Sequence, residues 1–395
     1  MNSDNIFFLK HLDDIVGIIS IDEVQGSIIS YKEVNPELSP YLGNADLSKI
    51  KKWWQSRAIP GTRYMLDKIL RDSECNTNYD YLAKNLGLSL TDCYWICPVN
   101  SDLKWEKVCL YNGLGSENLI PYHNSTSYDP NASLGGQMEK YWDMSGNEPR
   151  LIKTATGYYG QQAANEEFAT VLHSMQNTNF LFTRYYTQRR ELDDALQSVC
   201  PAFTSKVVEF IPALEVVDSI SKNNDVSMYN HFAIVCERHG LDREYIRKFL
   251  DYQTMTDFLI SNCDEHLLNF GILRAAYTLD FVSEAPIFDS GNSMFYLDSK
   301  TKPLSRVEML SKTITATHDT EEKMLKSVLY KSVIDMNALP SKKDVKEFYV
   351  LRGLPEDKAD ILSINYDLKA TMLDEFIRGI SISLYNEKKR STGRK

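Results

Sequence analysis

Asp264, Asn269 and Asp289 are the residues whose types and spacing point to a reaction. Asp264, His266 and Asn269 stand in Asp-Glu-His-Leu-Leu-Asn, and Asp289 follows in Ile-Phe-Asp-Ser-Gly. Phosphoryl transfer needs one carboxylate to orient the attacking hydroxyl. It also needs oxygen ligands that hold Mg2+ against nucleotide phosphates, because hard cations prefer oxygen. Asp264 suits the first task, and Asn269 and Asp289 suit the second. His266, between them, would brace the loop by hydrogen bonds. The set implies ATP and Mg2+ as cofactors.

Two upstream segments extend the pattern. Ser133-Leu-Gly-Gly-Gln-Met-Glu-Lys140 puts Gly135 and Gly136 just ahead of a strand. Glycines let backbone N–H groups approach phosphates and form an anion-binding concavity, although paired glycines also simply make turns. Lys153 lies in the apolar run Arg-Leu-Ile-Lys-Thr, where a lysine needs a reason. Either it contacts phosphates and pairs with a glutamate of the next helix, or it points to solvent from an edge strand. Glu166 and Glu167 are the candidate partners, with Glu166 preferred. Lysine, helix glutamate, Asp-x-His-x-x-Asn and Phe-Asp-x-Gly follow one another in the order of a kinase active site.

The elements needed to position these residues can be read coarsely. Helices are expected at 46–57, from Pro60 to about Leu70, and at Tyr79–Asn85, with a short strand at Cys93–Cys97. Residues 1–125 therefore read as a mostly helical accessory region, ending in the turn-rich stretch 121–132. Strands follow at Lys140–Trp142, Arg150–Thr154, Phe180–Tyr186 and Lys206–Ile211, interrupted by a helix at Asn165–Gln176. This is a strand-rich unit over 126–215. Residues 216–387 read as helical, with one helix ending near Gly240, another over Asp242–Ser261 and a last one over Glu356–Asn386, either continuous or broken, apart from a hairpin at Asn269–Arg274 and Asp280–Phe288. Residues 388–395 form a basic tail, expected to be disordered. The fold class is α+β: a two-lobed, protein-kinase-like fold with a strand-rich N-lobe and a helical C-lobe, preceded by the accessory region.

Composition narrows the function classes. A chain of 395 residues has room for two or three domains. A net charge of −10 argues against general nucleic-acid binding or anchoring on anionic membranes. No apolar run reaches membrane-spanning length. The start lacks a basic stretch followed by a long apolar core, so no secretory leader and a cytoplasmic location are expected. The 7 cysteines are scattered, as expected for reduced thiols. Cys93 and Cys97 suit a buried strand, and Trp53 and Trp54 a packed aromatic core.

With these motifs in hand, the chain resembles the HipA-type bacterial serine/threonine kinases, including the small HipA-like members. The resemblance covers about residues 130–310 and, loosely, the C-terminal helices. It implies that Asp264 is catalytic, that Asn269 and Asp289 bind Mg2+, and that Lys153 pairs with Glu166. The family's Ser-x-x-Gly-x-x-x-Lys segment matches Ser133, Gly136 and Lys140. It implies autophosphorylation at Ser133 that displaces the loop. By position alone, Glu209 and Ile211 in Val-Glu-Phe-Ile would line the adenine-binding linker. The resemblance further implies a protein substrate with a Ser/Thr acceptor, and a toxin role with a DNA-binding antitoxin as partner. Glu265 departs from the family, which often has arginine there, and is expected to remove a positive charge near the phosphates. Two other functions remain open: a catalytically silent kinase-fold regulator, and a kinase of small molecules or lipids on the same fold.

Overall fold

Isoleucine, valine and phenylalanine recur from Ile6 to Ile28 between turn residues, and that composition favours a pleated, half-buried surface. The computed structural model, which describes residues 5–43, 45–115, 128–155, 157–296 and 302–391, forms strands there. β1 (Ile6–His11), β2 (Asp14–Ile21), β3 (Ile28–Glu33) and β4 (Tyr94–Pro98) make an antiparallel sheet in the order β3-β2-β1-β4. The accessory region is therefore not mostly helical. The helices Leu47–Arg57, Leu66–Asp72 and Asn78–Lys84 do form, near the expected positions. Ile50, Trp53, Trp54 and Leu82 from these helices bury against Leu9, Val16, Ile19 and Trp95 of the sheet. Gly26 makes this packing possible. Its φ is +67°, an added Cβ would fall 2.2 Å from the Asp80 nitrogen, and its carbonyl accepts the Trp54 indole N–H at 2.8 Å.

The second sheet is built from β5 (Glu139–Asp143), β6 (Arg150–Thr154), β7 (Tyr186–Arg189) and β8 (Leu196–Pro201), in the order β5-β6-β8-β7. The Gln161–Gln176 helix packs against it through Ala163, Ala164, Phe168 and Leu172. The expected strand at Phe180–Tyr186 is a correction. Only Tyr186 belongs to β7, and Phe182 makes an isolated bridge to Ile287. β8 reads poorly because it is buried on both faces, so polar and apolar residues do not alternate along it.

A third sheet joins β9 (Val208–Pro212), β10 (Gly271–Ala275) and β11 (Phe281–Glu284) in the order β11-β10-β9. The Arg243–Ile260 helix beside it is capped by Asp242, whose side chain accepts from the Tyr245 N–H at 2.6 Å. Every residue from Phe249 to Ile260 is buried, which marks a central core helix. It ends on Ser261 in the left-handed region, with the Asn262 N–H returning to the Asp257 carbonyl at 2.8 Å. That reversal feeds the chain straight into residues 262–269. Further on, the Lys342–Leu351 and Glu356–Ile377 helices pack together. A final helix, Leu384–Ser391, takes in the first half of the expected basic tail, which to that point is helical and not disordered. The expected boundary at 121–132 lies mostly outside the described residues, as does the end of the tail. Among the described residues, no helix is long and apolar enough to cross a membrane.

Candidate active site

Lys153 sits mid-strand in β6, directly opposite Lys140 of β5 and Ser198 of β8. It is only 4% exposed and does not reach out to solvent. Its Nζ donates to Glu166 Oε1 at 2.5 Å and to Asp289 Oδ1 at 2.6 Å. Glu166 is held by its second oxygen, which accepts the Ser198 hydroxyl. Glu167, one residue on, faces elsewhere: it accepts from Thr187 at 2.6 Å and pairs with Arg352. Burial would push the Lys153 ammonium toward neutrality, but the Asp289 and Glu166 carboxylates outweigh it and raise its pKa well above the usual lysine value.

Asp289 comes to the lysine from the loop after β11. Burial favours its neutral form, but Lys153 and then Lys140 overcome that and hold the carboxyl well below the usual range. Asp289 has φ +63°, and such left-handed strain in a non-glycine residue of order 1–3 kcal/mol is typical of sites whose geometry matters. Its N–H donates to the Tyr185 hydroxyl at 3.3 Å. The following turn is pinned by Asn165, whose amide donates to the Gly291 and Ser293 carbonyls, each at 2.8 Å, while Tyr349 donates to its oxygen at 2.8 Å.

That same turn reaches Asp264. The Asn292 Nδ2 donates to Asp264 Oδ2 at 2.8 Å, and Gln162 donates to Asn292 Oδ1 at 2.8 Å. Asn269 donates its amide to the Asp264 carbonyl at 2.7 Å. The Asn269 side-chain oxygen accepts no hydrogen bond among the described residues, and is available to a cation. His266 braces the loop: its N–H donates to the Asp264 carbonyl at 3.0 Å, and its ring Nε2 lies 3.9 Å from Asp264 Oδ1. Partial burial raises the Asp264 pKa, opposed by the Asn292 bond and His266 and assisted by Asp289. Asn269 and Asp289 together offer an amide oxygen and a carboxylate, a hard donor set that fits Mg2+.

The glycine segment leads into β5 and lies against Lys140. Ser133 ends a short turn, Pro130–Ser133. Gly136 has φ +88°, and a Cβ there would fall 2.4 Å from Lys140 Nζ, so Lys140 lies across the glycine. Burial and then repulsion from Lys153 bring the Lys140 pKa down to about 8. Ser133, Gly135, Gly136 and Lys140 thus lie on the segment that enters β5 beside Lys153.

Glu209 and Ile211 are not brought to this cluster. The Glu209 carboxylate is fully buried, accepting from His11 at 2.8 Å, from Arg274 at 2.7 and 2.9 Å and from the Cys93 N–H at 2.8 Å. Ile211 is 2% exposed in the apolar core with Phe232, Phe270 and Ile272. The segment joining the second and third sheets is instead 202–207, between β8 and β9. There Phe203 contacts Phe210 and Phe288 edge-on or tilted, with ring centroids 5.3–5.6 Å apart, next to Asp289 in sequence. Glu265 also departs from its expectation. It is 3% exposed and accepts from Gln253 Nε2 at 2.6 Å, so it is buried against the Arg243–Ile260 helix. Ser198, Asn165, Tyr185 and Asn292 were not singled out by sequence. Asn292 alone carried a signal, three residues past Asp289 in a polar Ser-Gly-Asn turn.

No family model matches the chain, and no curated protein matches it. Among solved structures, the crystal structure of the Helicobacter pylori proinflammatory kinase CtkA is similar over 65% of this chain and 96% of that one. The two are 17% identical, with a TM-score of 0.41. So loose a likeness carries neither fold nor function, and the functional reading rests on the side-chain geometry.

Proposed function

We propose that this chain is an ATP- and Mg2+-dependent kinase of two-lobed architecture that transfers the γ-phosphoryl group to a serine or threonine hydroxyl of a protein. One observation carries the reading. The Lys153 ammonium is shared between Glu166 at 2.5 Å and Asp289 at 2.6 Å, and the Asp289 turn holds Asp264 through Asn292. In this reading a buried cation, a carboxylate ligand and a hydroxyl-orienting carboxylate are coupled in one site, as phosphoryl transfer requires.

In this reading Lys153 and Lys140 receive nucleotide phosphates, and the Gly135–Gly136 segment covers them. Asn269 and Asp289 hold Mg2+, which neutralises phosphate charge. Asp264 orients the acceptor hydroxyl and takes its proton, while His266 fixes the loop. The base packs against the Phe203, Phe210 and Phe288 cluster, since aromatic faces stack well on purines. Ser133 is the proposed autophosphorylation site. The toxin role and the antitoxin partner rest on the resemblance alone. The test is incubation of purified protein with ATP and Mg2+, alone and with cell extract, followed by mass spectrometry of proteins and small molecules. Phosphate on protein serine or threonine supports the reading, with peptide mapping deciding Ser133. Phosphate found only on a small molecule or lipid transfers the assignment to that class, and no transfer at all rejects catalysis.

A further inference from the structure

We propose that Arg63, carried by the accessory region, is a positioning residue that sets the glycine loop for phosphate binding; this rests on the kinase reading above. Arg63 is only 6% exposed, and among the described residues it has no carboxylate partner. Its guanidinium is instead wrapped by the loop. Nη1 donates to the Met138 carbonyl at 2.5 Å, and Nη2 donates to the Leu134 carbonyl and to the Gly135 carbonyl at 3.0 Å. The adjacent Tyr64 N–H donates to the Gln137 carbonyl at 3.2 Å. Four carbonyls of one short loop are therefore bound from residues 63 and 64.

The consequence follows from peptide geometry. In a planar trans peptide the C=O and the following N–H point in opposite directions. Turning the Leu134 and Gly135 carbonyls onto Arg63 therefore turns the Gly135 and Gly136 N–H groups away from it. Neither N–H donates to a partner among the described residues. Two successive free amides on left-handed-tolerant glycines form an anion-binding concavity, and Lys140 Nζ lies against Gly136. Arg63 thus faces one side of the loop and leaves the anion-binding side free. It is itself fixed in a turn: its N–H donates to the Pro60 carbonyl at 2.9 Å, and Asn78 holds the Ile59 carbonyl at 2.6 Å. The loop's conformation is in this way dictated by the accessory region.

The test measures affinity for a non-hydrolysable ATP analogue with Mg2+, and hydrogen exchange across 133–139, for wild type, Arg63→Ala, Arg63→Lys and Lys153→Ala. Expected is a tenfold or greater loss of affinity in Arg63→Ala, a smaller loss in Arg63→Lys, and faster exchange confined to the loop. Under turnover the loss should fall on KM for ATP more than on kcat, which a general weakening of the fold would not produce. If Arg63→Ala does not fold, Arg63→Lys keeps the charge but not the planar fork, and still reads the effect. Wild-type affinity and wild-type loop exchange in the Arg63 variants overturn the proposal while leaving the kinase reading intact. Failure of wild type itself to bind the analogue overturns the kinase reading and the proposal with it.

Discussion

Asn292 holds Asp264: its side-chain amide donates to Asp264 Oδ2 at 2.8 Å, across the gap between the two loops that supply the candidate chemistry. Asn292 comes from the turn that carries Asp289, so the carboxylates proposed to bind metal and to orient the hydroxyl are set against each other by one amide. Asn292→Ala should leave nucleotide affinity near wild type and lower kcat by about tenfold to a hundredfold, the range in which misplaced catalytic groups fall. Steady-state kinetics on any acceptor check this. An unchanged kcat would make Asn292 a bystander.

Lys153→Ala should remove activity and also destabilise the fold. A lysine pointing to solvent would do neither, but Lys153 is buried between two carboxylates. Removing one partner of a buried pair typically costs about 3–5 kcal/mol because the other charge is left uncompensated. Lys153→Ala with Glu166→Gln should recover much of the stability and none of the activity. Denaturant unfolding of the single and double variants separates the two effects.

Asp289→Asn and Asn269→Ala should weaken Mg2+-dependent nucleotide binding, the carboxylate change more strongly. Calorimetric titration with an ATP analogue, with and without Mg2+, reads it. Equal affinity in wild type and both variants, with Mg2+ present, rejects the assignment of these two residues to the metal.

Asp257 gives a pH signature independent of catalysis. Its side chain is 2% exposed, accepts from Asn262 at 3.0 Å through one oxygen, and leaves Oδ2 unpaired. Burial raises its pKa to about 7. An unfolded aspartate titrates near 4, so between about pH 4 and 7 the folded state holds a proton that the unfolded state has lost. Stability contributed by this group is therefore full below pH 4 and falls as pH rises to about 7. Asp257→Asn should flatten that fall and raise the melting temperature at pH 7 more than at pH 4. Equal shifts at both pH values would contradict the sign.

Much of the site was legible because its chemistry is local in sequence. The six residues from Asp264 to Asn269 form one loop, fixed by the reversal at Ser261, and a lysine inside an apolar strand announces a partner. Glu166 and Glu167 could not be separated by type, since helix phase relative to the sheet decides which one faces Lys153. Position alone puts Glu209 in the linker, but the partners that bury it, His11 and Arg274, lie 198 and 65 residues away and leave no local signal. The same distance hid Arg63. The strands of the accessory region failed differently: their isoleucine-rich pattern was present, but the helical signals that follow it dominated the reading.

The most direct measurement of the central claim is phosphate transfer by purified wild type and Asp264→Asn, followed by intact-mass spectrometry after incubation with ATP and Mg2+. Asparagine keeps the volume of Asp264 and can still meet Asn292, so fold and analogue binding should survive. The expected result is added phosphate mass on wild type or its protein acceptor and none with Asp264→Asn, at matched nucleotide affinity. Transfer by Asp264→Asn at the wild-type rate would contradict the assignment of Asp264, and with it the proposed active site.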